Sequence, residues 1–184
     1  QVRAGDRAID ALEEAIQNAC AQIIALRAPT ASDLRTVLTV MRMATALERA
    51  GDYAKNLAKR SLVLMQMAPV NGAPGAVRRM ARTVVGQLSD ALDAYIARDT
   101  AKAAEVRRRD HEVDQIYNAL FRQFLTYMLE DPRTISSCMH LHFIAKNIER
   151  AGDHATTIAE QAHYLATGSL PSEPRPKAGL ETEV

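Results

Sequence analysis

The chain has 184 residues, enough for one domain or for two small repeated units. Its formal net charge is +1, so it has no overall electrostatic preference for nucleic acid or for an anionic membrane surface. No apolar run approaches the roughly 20 residues that span a bilayer, and no secretory signal peptide is recognisable. Trp is absent and aromatic residues make up only 4%, so aliphatic side chains and Met are expected to fill the core of a helical bundle.

Hydrophobic periodicity predicts an all-α fold with five helices. Their expected ranges are about 2–27, 30–67, 76–97, 100–129 and 131–167. Thr30 and Asp33 are predicted to form a capping box at the start of the second helix, and Asp99 is predicted to cap the fourth. Pro132 suits the first position of the fifth helix, and Gly168 is expected to end it.

The clearest break in the helical pattern is the Pro- and Gly-rich segment 69–75. We expect it to link two units, a partial first repeat at 1–68 and a second repeat at 76–168. Residues 169–184 contain three prolines and few apolar residues, so a disordered tail is expected there.

The pentapeptide Glu-Arg-Ala-Gly-Asp occurs twice, at Glu48–Asp52 and at Glu149–Asp153, and the copies lie 101 residues apart. Each copy is preceded by a pair of aspartates four residues apart, namely Asp6 with Asp10 and Asp110 with Asp114. Four carboxylates that recur at near-constant spacing indicate an internal duplication. The second copy has a predicted helix before its aspartate pair and the first has none. We therefore expect a three-helix unit whose first helix is missing from the first copy in this sequence, leaving an apolar groove.

The repeated acids point to chemistry as well as to duplication. Carboxylates four residues apart share a helix face and repel each other. Helical phasing places them at the margin of the apolar stripes, where one helix can oppose another. A bound cation would remove the repulsion, and carboxylates without a Cys/His set suit Fe, Zn, Mn or Mg without selecting among them. The predicted metal ligands are Asp6, Asp10, Glu48, Asp52, Asp110, Asp114, Glu149 and Asp153. The alternative is a solvated charged face paired with nearby Arg and Lys.

An enzymatic alternative rests on Glu160 and His163, which form one Glu-x-x-His step of the kind found in di-iron carboxylate bundles. That architecture needs the step on two helices, and residues 59–62 of the first copy do not repeat it. The sequence also contains no nucleophile constellation. A carboxylate-bridged metal enzyme is therefore the weaker hypothesis, and the protein is predicted not to be an enzyme. A purely structural bundle would leave the repeated acids unexplained.

Residues 141–160, which include the second Glu-Arg-Ala-Gly-Asp, strongly resemble the PhoU family. The segments 25–29, 33–35 and 47–52 resemble it in the same order, so the resemblance covers about residues 2–167. It implies two three-helix bundles in tandem, whose ExxxD motifs bind metal clusters. The family usually has Asn where this chain has Thr157, which implies that the second site lacks one supporting group.

The resemblance also implies a function. PhoU proteins are cytoplasmic regulators that restrain the phosphate-starvation response and link a phosphate ABC transporter to a sensor histidine kinase. We accordingly expect a cytoplasmic homodimer that approaches the membrane only through these partners and does not bind nucleic acid.

Overall fold

The part of the chain that the structure describes folds into five long α-helices. The structure, a computed structural model, describes residues 2–70 and 72–172, apart from the side chain of Arg3. The helices are α1 (Val2–Arg27), α2 (Ala31–Leu64), α3 (Ala73–Ala97), α4 (Thr100–Glu130) and α5 (Ile135–Thr167). A short 3-10 helix, Pro132–Thr134, precedes α5. Within the described ranges no residue forms a strand, and the all-α prediction is confirmed. Most of the predicted tail, residues 173–184, lies outside these ranges.

Helix α5 is the centre of the packing. It contacts α3 and α4 to complete a three-helix bundle, and on another side it contacts α2. The apolar core of this bundle includes Met80, Val84, Val113, Phe124, Leu141, Ile144 and Ile148. A second cluster, built largely of alanines from α3, α4 and α5, also receives Ala46 from α2. Small side chains let the helices approach closely there, so the two-helix unit of α1 and α2 is joined to the bundle through α5.

Helix α1 packs along α2 and leaves much of its apolar stripe uncovered. Among its described side chains only Asp6 and Cys20 are buried, and Leu12 is 62% exposed. A groove of about 430 Å³ runs beside it. The apolar side chains that line the groove include Ile9, Leu12, Ile16, Leu47 and Leu88.

Two of the predicted helix ends are confirmed and one is wrong. The Asp99 carboxylate accepts hydrogen bonds from the backbone amides of Ala101 and Lys102, both at 2.9 Å, and so caps α4. Gly168 ends α5 with a φ of +84°, in the left-handed region that favours glycine. The Thr30 side chain makes no capping hydrogen bond. The first residue of α2, Ala31, has a φ of +48°, so this turn departs from the geometry that an N-cap hydroxyl needs.

The connection between α2 and α3 is placed differently from the prediction. Helix α2 ends at Leu64 and α3 begins at Ala73, so the last three residues of the predicted linker 69–75 are helical. Pro74 lies in the first turn of α3, where its missing N–H requires no partner. A proline that reads as a helix breaker in the sequence therefore starts a helix here. Similarly, Pro132 opens the 3-10 helix, and α5 itself begins only at Ile135.

None of the helices in the described part of the chain combines the length and apolar composition needed to cross a bilayer.

Candidate metal-binding site

The fold places each acidic set on two neighbouring helices, α1 with α2 and α4 with α5. The first aspartate of each upstream pair is buried, because Asp6 is 7% exposed and Asp110 is 1% exposed. The second aspartate of each pair is more accessible to solvent, because Asp10 is exposed and Asp114 is only partly buried. The structure thus brings Asp6 and Asp110 into helix interfaces, while Asp10 remains at the surface.

The glycine of each pentapeptide lies opposite the upstream helix. A methyl group on Gly51 would lie 3.2 Å from Cδ1 of Ile9, so this glycine allows two helices to pack closely. A methyl group on Gly152 would lie 3.5 Å from Oδ1 of Asp110. The first glycine therefore serves packing, and the second leaves room beside a buried carboxylate.

The first acidic set already contains a cation, the ammonium of Lys55. Its Nζ donates to Oδ2 of Asp6 at 2.8 Å and to Oδ1 of Asp52 at 2.5 Å, which joins α1 to α2. The hydrogen bond from Lys55 holds the pKa of Asp52 below its usual value, and the two carboxylates, Asp52 first, raise the pKa of Lys55. Sequence reasoning missed Lys55, although its position three residues after Asp52 on one helix was a readable signal.

Glu48 shows the repulsion that the sequence predicts. It is partly buried, and burial, followed by the charge of Asp52, raises the pKa of its carboxyl group. Nε of Arg49 lies 3.6 Å from Oε2 of Glu48, and its positive charge lowers the pKa of Glu48. This effect is smaller than the increase caused by burial and by Asp52. The ionised form of Glu48 is therefore disfavoured in the folded protein.

We expect Glu48→Gln to raise the free energy of unfolding near pH 7 by about 0.2–0.5 kcal/mol in the presence of a chelator. An acid whose folded-state pKa is raised destabilises the fold above its unfolded-state pKa, so the gain should disappear near pH 4. Urea unfolding at both pH values measures this, with Glu14→Gln, an exposed acid on α1, as control. A loss of stability in Glu48→Gln near pH 7 would contradict the assigned repulsion.

The second acidic set has a buried neighbour that the sequence did not suggest, Gln87 on α3. Gln87 is fully buried, and neither polar atom of its amide has a hydrogen-bond partner among the described residues. Its Oε1 lies 3.7 Å from the position of a methyl group on Gly152, and Oδ1 of Asp110 lies 3.5 Å from the same position. The sequence contained a signal for this burial, because Gln87 lies three residues after Val84 and four before Ala91, on the apolar face of the helix. Buried amides are rarely left unpaired, so this space suits a polar ligand.

The two sets differ in how well they fit a metal ion. Among the residues that the structure describes, no three His, Cys, Asp or Glu side chains form a ready-made cluster. Mg²⁺ commonly binds through only one or two carboxylates and keeps several waters. Beside Gly152, Oδ1 of Asp110 and Oε1 of Gln87 lie 3.5 Å and 3.7 Å from the position of a methyl group on that glycine. In the first set, Lys55 already lies between Asp6 and Asp52. In the second set, two side-chain oxygens therefore face one space, whereas in the first set an ammonium lies between the two carboxylates.

Two further acids of the second set, Glu149 and Asp153, lie on α5. Glu149 forms an ion pair with Lys146 at 2.8 Å, and Asp153 is partly buried one turn further along α5. The hydroxyl of Thr157 donates to the backbone carbonyl of Asp153 at 3.0 Å. The Thr157 hydroxyl is therefore used in a hydrogen bond within α5.

The di-iron hypothesis is not supported by the contacts of Glu160. Its Oε1 forms an ion pair with Nε of Arg107 at 3.4 Å. An arginine neutralises the charge of this carboxylate, so the Glu-x-x-His spacing has an ordinary structural explanation.

Comparison with known proteins decides the family. The family model described as the PhoU domain matches residues 1–61 and 77–162. The chain belongs to the PhoU family. Among its PhoU relatives, a phosphate-specific transport system accessory protein PhoU homolog from Caulobacter vibrioides is 48% identical over 176 residues, 96% of this chain and 76% of the relative. A homolog of the same name from Rhizobium meliloti is 45% identical over 177 residues, 96% of this chain and 75% of the relative.

Solved PhoU structures share the fold. The crystal structure of PhoU from Pseudomonas aeruginosa superposes with a TM-score of 0.89 at 37% identity, covering 92% of this chain and 81% of that one. The phosphate transport system regulatory protein PhoU from Streptococcus pneumoniae gives 0.82 at 30% identity, covering 94% and 80%. PhoU relatives are named as accessory or regulatory proteins, which confirms the prediction that this chain is not an enzyme.

Proposed function

We propose that this PhoU protein is an accessory regulator of the phosphate-specific transport system that restrains the phosphate-starvation response. In this proposal it couples the phosphate ABC transporter to a sensor histidine kinase. The observation that carries it is membership of the PhoU family, whose relatives include a protein named as a transport-system accessory protein at 48% identity. A regulator of this kind acts by binding, so its side chains are needed for contacts and conformation instead of turnover.

We propose in addition that a divalent metal ion takes part in this regulation. Asp110 and Gln87 would hold it from inside the bundle, and Asp114, Glu149 and Asp153 would complete or orient its shell from α4 and α5. When bound, the ion supplies positive charge that removes the repulsion between these carboxylates. Because the carboxylates lie on two helices, the bound ion would tie α4 to α5 and set their relative position. Mg, Mn, Fe and Zn all accept oxygen ligands, and the hard cations Mg²⁺ and Mn²⁺ suit a carboxylate and an amide oxygen best.

The proposed partners also determine the proposed location. Coupling to a transporter and a sensor kinase places the protein in the cytoplasm, with membrane contact through these partners alone. A homodimer is proposed as the assembled form. Titration of purified protein by light scattering tests that form directly.

We expect deletion of the gene to switch phosphate-starvation genes on in phosphate-rich medium, because the proposed restraint is lost. Asp110→Asn and Asp153→Asn should weaken repression while the fold is kept, since neutral amides hold cations less well than carboxylates. A transcriptional reporter measures both effects, with protein abundance determined in parallel. Asp93→Asn, which removes an exposed acid of α3, is the matched control.

The two parts of the proposal fail separately in this assay. Normal repression in the deletion strain would contradict the regulatory function itself. A deletion strain that is derepressed, together with Asn variants that repress like the wild type, would leave the regulator in place and remove the metal from its signalling.

A further inference from the structure

A large apolar pocket lies between α2, α3 and α5, and its described lining includes none of the eight predicted metal ligands. Its volume is about 750 Å³, within the range of pockets that hold drug-sized ligands. We propose that it binds a fatty carboxylate with a single acyl chain, with the chain inside the pocket and the carboxylate at Arg78. This inference goes beyond the proposed function, because it requires neither a metal ion nor a transport or kinase partner.

The inner wall of the pocket is apolar and shielded from water. Leu141, Ile144 and Ile148 of α5 line it, and each is at most 5% exposed. Val77 of α3, which is 8% exposed, lines the same space. An acyl chain that enters the pocket would exchange water for contacts with these aliphatic side chains, which is the favourable direction for apolar surface.

A space of this size beside a helix-bundle core is unusual. Protein interiors are packed about as densely as organic crystals, and few voids in them exceed the size of a water molecule. Side chains that face a void lose van der Waals contacts, and an apolar ligand would restore them. Met65 and Met67, in the segment that follows α2, also line the pocket. Their unbranched side chains can adapt to the shape of a bound chain.

The polar groups in the lining indicate which head group the ligand carries. The hydroxyl of Ser61 donates to the backbone carbonyl of Leu57 at 2.9 Å, and that of Ser137 donates to the carbonyl of Ala68 at 2.8 Å. The donors of both hydroxyls are therefore engaged within the protein. Arg78 is the only charged side chain in the described lining, it is exposed, and the described residues give it no hydrogen bond or ion pair.

The charge around Arg78 also favours an anion. Arg79 and Arg82 are exposed on the same helix, and α3 contains no acid before Asp90. Three arginines within five residues therefore give this end of α3 a positive potential, although the net charge of the chain is only +1. A guanidinium binds a carboxylate through two parallel hydrogen bonds, so Arg78 suits the head group of a fatty acid.

The test uses decanoate as the probe, titrated by calorimetry into the purified protein below the concentration at which decanoate forms micelles. We expect saturable binding of one decanoate per chain. Decylammonium has a chain of the same length and the opposite charge, so it should bind more weakly. Decylammonium that binds as tightly as decanoate would overturn the assignment of an anionic ligand.

Substitutions locate the site. Ala81→Phe and Leu64→Trp enlarge side chains that line the pocket on two different helices, and each should abolish decanoate binding. Ala97→Phe adds the same ring at an exposed position of α3 outside the described lining and should bind as the wild type does. Arg78→Gln should weaken decanoate binding about two- to fivefold, since an exposed ion pair contributes modestly. Arg122→Gln, which removes an exposed arginine of α4, should leave it unchanged.

Methyl NMR of the wild type locates the ligand without any substitution. Decanoate should shift the methyl signals of Ile144 and Ile148 and leave that of Ile96, which is 80% exposed on α3, in place. The inference is overturned if decanoate does not saturate the wild type, or if the signals of Ile144 and Ile148 do not move. It is also overturned if Ala81→Phe and Leu64→Trp, shown to be folded by circular dichroism, bind decanoate as the wild type does.

Two other occupants of the pocket give different results. If decanoate does not bind and the two filled variants lose a self-association that light scattering detects in the wild type, the pocket is a contact between copies of the chain. If decanoate does not bind and the wild type sediments with phosphatidylglycerol vesicles while the filled variants do not, the pocket is a membrane contact. Either result would contradict the binding of a fatty carboxylate.

Discussion

We expect divalent cations to raise the melting temperature of the wild-type protein, and we expect the double replacement Glu149→Gln and Asp153→Asn to abolish most of that rise. A ligand that binds only the folded state stabilises it by about 2.7 kcal/mol at a concentration of 100 Kd. For a chain of this size that corresponds to about 5–10 °C. Because the variant lacks two of the carboxylates proposed to face the ion, the concentration that saturates the wild type should hardly shift it. Thermal unfolding across a series of Mn²⁺ and Mg²⁺ concentrations measures the difference.

The matched control for this experiment removes two negative charges from exposed positions on α4. Glu112 and Glu130 are exposed acids on α4, and their double replacement by Gln should leave the metal-induced shift intact. The comparison concerns the shift and not the melting temperature without metal, because Glu149→Gln also removes the ion pair with Lys146. An undiminished shift in the Glu149 and Asp153 variant would show that the second site is assigned to the wrong residues.

Phe124→Ala will lower the free energy of unfolding by about 3–5 kcal/mol, the largest loss of stability that we expect from one substitution. Phe124 is 1% exposed, and it belongs to the same cluster as Met80 of α3 and Leu141 of α5. Truncation removes most of its buried apolar area and leaves a cavity that three packed helices cannot readily close. Equilibrium unfolding in urea measures the change through the transition midpoint.

The neighbouring residue provides the control. Leu125 is 41% exposed on the same helix, so Leu125→Ala should change the stability by no more than about 0.5 kcal/mol. If Phe124→Ala also stayed within that range, the contact between α3, α4 and α5 could not be the main source of stability.

The sequence predicted the helices well because helix formation is largely local. Apolar residues at helical spacing were enough to find all five, and the side chain of Asp99 and the glycine at 168 mark their ends by chemistry that acts within a few residues. The errors arose where two local signals competed. Pro74 is read as a breaker in a Pro- and Gly-rich stretch, but proline is also favoured in the first turn of a helix, where the structure places it. Thr30 has a capping side chain, but the backbone at Ala31 enters the helix in another geometry.

The candidate site was predicted less completely than the fold. The repeated acids were recognisable because duplication leaves a visible pattern, and their position beside the apolar stripes followed from helical phasing. The sequence did not show that these acids have different environments in the folded protein. Nothing in the sequence distinguishes Asp6, which is buried, from Asp10, which is exposed one turn away. The sequence reading also passed over Lys55 and Gln87, because neither belongs to the repeated motif.

The sequence by itself thus determined the all-α fold, the duplication and the resemblance to PhoU, since these depend on residue spacing and on short motifs. Only the tertiary structure decided that Lys55 bridges Asp6 and Asp52, and that the buried amide of Gln87 faces the space beside Gly152. Lys55 and Asp6 are 49 residues apart in the chain and come together because α1 packs along α2. Gln87, Asp110 and Gly152 come from three helices, and they lie together because α3, α4 and α5 pack into one bundle. These contacts depend on how each helix is rotated about its axis and on how closely it packs against its neighbours. The spacing of residues along one helix specifies neither.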